Sequence, residues 1–273
     1  MKKKLKLLQR IKKETLKGLS RIKWILISNY IYYFRKIFQK KNKVKNKIAI
    51  LVPSKQRILR LQRFIDSLIN NTSDINRIYI EILIDEDELQ KNEYINYINN
   101  LKKNFNINLH VKDEKTHNLR NNYLASKINC DLYFPLNDDV IFILKNWDDY
   151  IDDVNSYIPK DKPFSIWTKA STKYPYLHSE FPIVNNSWYK KLGYIGNYHL
   201  FGYIDTWICE LGKISKKFII AKTKFIEHLN VEIKGSRDIK DKTYHDLMIS
   251  QKDDLDLWQK TKNIRLEDSK KLL

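Results

Sequence analysis

Four short apolar runs, three of them followed by a stretch of helical periodicity, constrain this chain more than any other feature. Ile48-Ala49-Ile50-Leu51-Val52 is continuously apolar, rich in β-branched residues and stopped by Pro53, the pattern of a strand buried on both faces. Ile78 to Ile84 reads as a second strand ending at Asp85, Ile107 to Val111 as a third, and Leu132 to Leu136 as a fourth. Between them, Ile58 to Asn70 sets Leu59, Leu61, Phe64, Ile65 and Leu68 on one side of a helix. Asp87 to about Asn104 and Asn118 to Lys127 read as two more helices. Such alternation predicts an α/β architecture, a mostly parallel sheet with helices on both faces. The second half is less regular. It offers Ser165-Ile166-Trp167-Thr168, a loop rich in Tyr and Pro, a helix near Tyr203 to Leu211, a strand from Phe218 to Ala221 and a helix from about Lys242.

In a sheet of this kind ligands sit beyond the carboxyl ends of the strands. Those ends carry Ser54 to Arg57, Asp85 and Asn137-Asp138-Asp139. Two adjacent carboxylates repel each other and cost desolvation, and a cation shared with a bound phosphate relieves both penalties. A solvated acidic turn is the competing reading. Asp148-Asp149 and Asp152-Asp153 fall on a predicted helix and read as a solvated face. Trp167, Trp188, Trp207 and Tyr203 read first as core and only second as ligand-stacking faces.

The net charge of +19 over 273 residues would suggest a nucleic-acid binder were it spread over the fold. It is not. Of 51 Lys/Arg and 32 Asp/Glu, residues 1–47 hold 17 basic and a single acidic residue, Glu14, leaving 34 and 31 for the remainder. The body is nearly balanced, which argues against a nucleic-acid groove across it. Cys130 and Cys209 are the only cysteines, too few for a disulfide framework and without zinc spacing, so a reducing, cytoplasmic compartment is expected.

The basic segment has its own pattern. Leu5, Leu8, Leu16, Leu19, Ile22, Leu26, Tyr30, Tyr33 and Ile37 recur every three or four residues among lysines and arginines, a basic amphipathic helix. Its apolar centre, Trp24 to Phe34, is about half the roughly 20 residues that span a bilayer, and it has no signal-peptide cleavage pattern. Three readings remain: a solvated helical arm, an anchor peripheral to an anionic membrane surface, or a partner-binding segment. Lys40 to Lys47 reads as a charged linker. The expected organisation is an arm over 1–47 and a catalytic domain over 48–273.

The order and spacing of these features resemble the nucleotide-sugar glycosyltransferases of the GT-A fold, family-2-like. The residues that carry the resemblance are Val52-Pro53-Ser54-Lys55-Gln56-Arg57, Ile82-Leu83-Ile84-Asp85, Asn118-Leu119-Arg120-Asn121 and Leu132 through Asp139. Phe181-Pro182-Ile183-Val184 through Trp188, Leu192-Gly193-Tyr194, Tyr203-Ile204-Asp205-Thr206-Trp207 and Phe225-Ile226-Glu227-His228 are similar to the acceptor half. The resemblance implies a Rossmann-like, mostly parallel sheet, with a nucleotide-sugar-binding half over 48–140 and an acceptor half over 141–273. Two departures stand out. Asn137 occupies a position where many members have Asp, and the glycines usual in the opening and third-helix loops are absent.

What the resemblance implies for chemistry is specific. Asp139 and His228 would hold Mn²⁺ or Mg²⁺ against a diphosphate, hard oxygen and neutral imidazole being suitable donors. His228 read without the family is as readily a structural histidine. Asp138 would contact the ribose or supply a second metal contact. Pro53, Arg57, Asp85, Arg120 and Asn121 would line the nucleotide-sugar site, with Asp85 reading the base and Asp87 next in line for that role. Asp205 would take the proton of the acceptor hydroxyl as general base, although a carboxylate in the first turn of a helix also serves as a cap. A single base implies inversion at the anomeric carbon. The expected reaction transfers a hexosyl or related sugar from a nucleoside-diphosphate donor to a glycan, lipid-linked or protein hydroxyl. A nucleotidyltransferase on a similar sheet and a non-enzymatic basic binding protein are the alternatives.

Overall fold

The computed structural model describes residues 45–170, 178–198, 200, 202–229 and 254–273, with a few isolated positions besides. The expected arm and linker lie outside the described residues, except at 45–47 and at Ile22, Lys23, Leu26 and Tyr30, which are helical and exposed. Residues 241–244, where the C-terminal helix is expected to begin, lie outside them as well. No helix among the described residues is long and apolar enough to cross a membrane.

The first half follows the sequence closely. Strand β1 (Ile48–Pro53), helix α1 (Ile58–Asn71), strand β2 (Ile78–Ile84), helix α2 (Lys91–Leu101), strand β3 (Ile107–Val111), helix α3 (His117–Ser126) and strand β4 (Leu132–Pro135) succeed one another. β1 pairs in parallel with β2 and β4, and β2 with β3. Every residue of β1 is buried, as its unbroken apolar run requires. In α1 the buried face is Ile58, Leu61, Phe64, Ile65 and Leu68, whereas Leu59, expected on that face, is 76% exposed. At 100° per residue a helix cannot turn both 58 and 59 inward along with 61, 65 and 68. Helix α2 starts four residues later than expected because the Glu88 carboxylate folds the chain ahead of it, accepting from Gln56 N at 2.8 Å and Gln90 N at 2.9 Å.

The second half contains β5 (Val140–Phe142), α4 (Trp147–Asn155), β6 (Ser165–Trp167), β7 (Ile183–Asn185), α5 (Asn186–Leu192), α6 (Ile204–Ser215), β8 (Phe218–Ile220) and β9 (Ile226–His228). Two short helices, α7 (Asp254–Lys260) and α8 (Lys262–Lys271), stand in the region expected to be one C-terminal helix. The main sheet has seven strands in the order β3-β2-β1-β4-β7-β6-β8. It is mostly parallel, with β7 antiparallel to both β4 and β6, and it is flanked by helices in a Rossmann-like arrangement. A separate antiparallel pair, β5 and β9, stands beside it.

Two cores fill the layers. Ile48, Ile50, Val52, Ile80, Ile82 and Phe134 project to one side of the sheet; Ala49, Leu51, Leu83 and Tyr133 project to the other, against Trp188 and Trp207. The tryptophans expected in the core are there: Trp167, Trp188 and Trp207 are at most 1% exposed. An aromatic cluster of Phe134, Phe142, Trp147 and Phe225 supports β5 and β9 from below, with Phe142 and Trp147 centroids 4.7 Å apart and Trp147 stacked on Phe225.

The helix bearing Asp148, Asp149, Asp152 and Asp153 corrects the expectation of a solvated acidic face. Asp148 is fully buried, and Arg77 reaches Asp148 at 2.7 Å, Asp149 at 3.3 Å and Asp152 at 2.7 Å. Arg77 also donates to Asn46 O, so one guanidinium ties the entrance of β1 to α4. The sequence hides this because the pairing cation lies about 70 residues away.

Candidate functional site

Strand ends deliver the polar groups, as the topology requires. Pro53 closes β1 in register with Leu83, and the next residue, Ser54, donates its N–H to Leu83 O at 2.9 Å. The Ser54 hydroxyl lies 2.7 Å from Tyr94 Oη and donates to Asp138 Oδ2 at 2.7 Å. The loop then turns at Gln56, whose φ of +54° lies in the left-handed region that favours glycine. A glycine adopts this conformation without strain, and the loop from Ser54 to Arg57 has none. Glu88 holds it through the Gln56 N–H, and Tyr94 Oη accepts the next one, from Arg57, at 3.1 Å.

Two carboxylates face the resulting cradle from β2 and β4. Asp85, buried at the end of β2, contacts Lys55 Nζ at 2.8 Å and Arg120 Nη2 at 2.6 Å. Lys55 Nζ also stands 4.0 Å from Asp87 Oδ1, so two cations and two acids meet where a nucleotide is expected. Arg120 is braced by a second contact, from its Nε to Glu114 O at 3.1 Å. Asp138 is buried between Ser54 and Arg57, whose Nη1 is 3.5 Å away. Burial raises its pKa to about 6, against the pull of Arg57.

Asp139 turns the other way, toward β9. Val140 is in register with His228 across the β5–β9 ladder, and Leu229 N donates to Asp139 O at 2.9 Å. This ladder places His228 Nε2 3.3 Å from Asp139 Oδ1. The other ring nitrogen, Nδ1, lies 3.0 Å from Glu180 Oε2, and the ring edge meets Phe181 at 4.9 Å. Burial lowers the His228 pKa, but the two carboxylates outweigh it and push it up to about 10. Burial likewise works against charge on Asp139, yet His228, Arg57 and Arg60 hold its pKa below the usual carboxylate range.

Could this pair hold a divalent ion? Among the described residues no group of three or more His, Cys, Asp or Glu side chains is arranged to do so alone. The pair nevertheless fits as part of a shell. Asp139 Oδ1 is buried and faces His228 Nε2, 3.3 Å away. Adjacent donors on a six-coordinate ion with bonds of about 2.1 Å stand about 3 Å apart, close to the 3.3 Å found here. A diphosphate and water would have to complete the shell, as is usual for Mg²⁺.

Across from this pair lies the first turn of α6. Asp205 Oδ1 accepts from Thr206 N at 2.6 Å, and Oδ2 lies 2.6 Å from His178 Nε2. The residue before the helix, Tyr203, has a φ of +58°, a strained conformation for a bulky side chain. Burial lowers the His178 pKa, but the charge and hydrogen bond of Asp205 push it up to about 11. The helix is locked from behind: Asp254 Oδ2 accepts from Gly202 N at 2.8 Å, and Arg265 Nε reaches Glu210 at 2.9 Å while lying over the Trp258 ring.

His117, the first residue of α3, sits within electrostatic reach of both Asp139 and Asp205; burial, then Arg120, lowers its pKa to about 4. Burial thus disfavours the charged form of this imidazole. Asn121, one turn on, donates to His117 O at 3.0 Å, while its buried Oδ1 has no hydrogen-bond partner among the described residues. Asn118 and Asn122 instead clamp α3 to the 195–197 loop, accepting from or donating to Ile195, Gly196 and Asn197. Gly196 is required there, since a Cβ would lie 2.8 Å from Asn118 Cγ.

The structure thus brings Asp139 to His228, Asp85 to Arg120 and Asp138 to Arg57. Sequence reasoning missed Lys55, His117, His178 and Glu180. A signal for the last two existed, a histidine and a carboxylate flanking Ser179 just ahead of an apolar strand, but their partners are 27 and 48 residues away.

No protein-family model matches the chain, and no curated protein matches it in sequence. Solved structures do match it. A mannosyltransferase from Pyrobaculum calidifontis, PcManGT, determined with GDP-Man and Mn²⁺, superposes with a TM-score of 0.58 at 8% identity, over 85% of this chain and 70% of that one. S. aureus TarS 1-349 gives 0.53 at 10% identity, over 67% of this chain and 60% of that one. The same TarS fragment with UDP-GlcNAc gives 0.51, also at 10% identity, over 74% and 64%. The chain therefore spans less than two thirds of the TarS fragment. From its mostly parallel sheet and these superpositions, the chain has a GT-A-like fold.

Proposed function

We infer that this chain is a metal-dependent, inverting glycosyltransferase that moves a sugar from a nucleoside-diphosphate donor to a hydroxyl acceptor. The acceptor belongs to a glycan, a lipid-linked sugar or a protein. One observation carries the reading: Asp138 and Asp139 follow the fourth strand of a mostly parallel sheet, and His228 Nε2 stands 3.3 Å from Asp139 Oδ1. The Asp205–His178 pair in the first turn of α6 is the candidate for acceptor activation. The likeness to a mannosyltransferase crystallised with GDP-Man and Mn²⁺ supports both donor and metal.

In this reading Lys55, Arg57 and Arg120 attract the nucleotide and its phosphates, and Asp85, held by two cations, accepts from the base. Pro53 and Asn121 border the same pocket, and Asp138 fixes the Ser54-to-Arg57 loop beside the ribose. Asp139 and His228 would hold Mn²⁺ or Mg²⁺, which when bound would supply positive charge against the diphosphate. Asp205 accepts the acceptor proton as the new C–O bond forms, and the nucleoside diphosphate leaves from the opposite face of the sugar. The basic arm over 1–47 would hold the enzyme at the cytoplasmic surface of an anionic membrane.

Calorimetric titration of a panel of nucleoside diphosphates, with and without Mn²⁺, tests the donor site. Binding of one nucleotide that requires Mn²⁺ and vanishes in Asp139→Ala is the expected result. Failure of a folded sample to bind any of them would remove the transferase reading.

A further inference from the structure

Three consecutive residues connect the two halves of the site. His178 contacts Asp205 at 2.6 Å, and Glu180 contacts His228 at 3.0 Å. Ser179 between them is 1% exposed and pinned on several sides. Its Oγ accepts from Thr168 N at 2.8 Å and donates to Thr168 O at 3.2 Å, and its N–H points to Cys209 Sγ at 3.3 Å. Cys209 lies on α6, one turn after Asp205, and Thr168 follows β6 directly.

We propose that His178-Ser179-Glu180 is a positioning element, in which one buried serine fixes the partners of both the metal-binding histidine and the acceptor base. The proposal rests on the metal-dependent reading above. The chemistry of the imidazole explains Glu180. A carboxylate accepting from Nδ1–H keeps the proton on that nitrogen, so that an ion replacing the Nε2 proton would meet a lone pair on the nitrogen that faces Asp139. Glu180 lies on the opposite nitrogen from Asp139, so it orients the histidine and does not compete for the ion. His178 does for Asp205 what Glu180 does for His228: it occupies Oδ2 and leaves the carboxylate one fixed orientation. Ser179 makes the two contacts interdependent, since neither neighbour can shift without moving the other.

The experiment titrates Mn²⁺ into the full chain in the presence of UDP or GDP and follows the free ion by electron paramagnetic resonance. Wild type, Asp139→Ala, Glu180→Ala and Glu180→Gln are compared, with circular dichroism confirming that each is folded. Glu180→Ala is expected to weaken Mn²⁺ binding by about 10- to 100-fold. Glu180→Gln should recover part of that loss, because an amide oxygen still accepts from Nδ1–H. Wild-type affinity in Glu180→Ala would overturn the proposal while leaving the metal site standing. Absence of Mn²⁺ binding in the wild type, by contrast, would remove the metal reading and this proposal with it. A second measurement reads the shared anchor without any metal. In nitrogen-edited NMR, Ser179→Ala should shift the ring resonances of both His178 and His228, and movement of neither or only one would refute a common anchor.

Discussion

His178 Nε2 lies 2.6 Å from Asp205 Oδ2, so the proposed acceptor base is half of an imidazole–carboxylate pair. Asp205 does not behave as a plain helix cap, because its second oxygen is committed outside α6. Replacing it by Asn keeps the shape and removes the base. Asp205→Asn is expected to lower sugar transfer by about 10²- to 10⁴-fold with nucleotide affinity unchanged. Release of nucleoside diphosphate from UDP- and GDP-sugars, beside a binding isotherm, separates the two effects.

The same pair makes a stability prediction with a definite sign. The folded pKa of His178, raised to about 11, lies above its ordinary value of about 6.5. Its contribution is therefore complete below pH 6.5 and declines as pH rises through 11. Denaturant midpoints of wild type and His178→Gln should differ most near pH 6 and converge toward pH 11. A gap independent of pH would mean that the imidazole is uncharged in the fold.

Gln56 adopts a left-handed conformation that costs a residue with a Cβ roughly 1–2 kcal/mol. Glycine relieves that strain but loses more freedom on folding, by roughly 0.5–1 kcal/mol. Gln56→Gly should thus be neutral to stabilising by about 0.5 kcal/mol. Gln56→Val, β-branched at positive φ, should destabilise by more than about 1 kcal/mol. Chemical unfolding of the two variants tests the order.

Arg77 compensates buried Asp148, so removing the cation leaves a carboxylate without its partner. Arg77→Met is expected to cost about 3–5 kcal/mol. The double variant Arg77→Met, Asp148→Asn should recover part of it, since the fully buried charge is then gone and Asp152 keeps its Asn46 hydrogen bonds. A double-mutant cycle by urea unfolding measures the coupling.

Much of the fold and part of the site could be read directly from the chain. Apolar runs such as Ile48 to Val52 can only be buried, and their alternation with amphipathic helices leaves few ways to build a sheet. That logic also placed Asp85, Asp138 and Asp139 at strand ends, because strand direction alone determines where a run terminates. Its limit shows at Leu59, whose apolar character is real but whose helical angle turns it to solvent. The pairings that make chemistry were decided only in three dimensions. His228 meets Asp139 because β9 pairs with β5 across 86 residues, and Arg77 meets Asp148 across 71. Asp205 acquires His178, and His228 acquires Glu180, through a tripeptide anchored by a buried serine. Local sequence specifies periodicity and chain direction; long-range contacts depend on which strands find each other, and a single chain does not encode that in any local pattern.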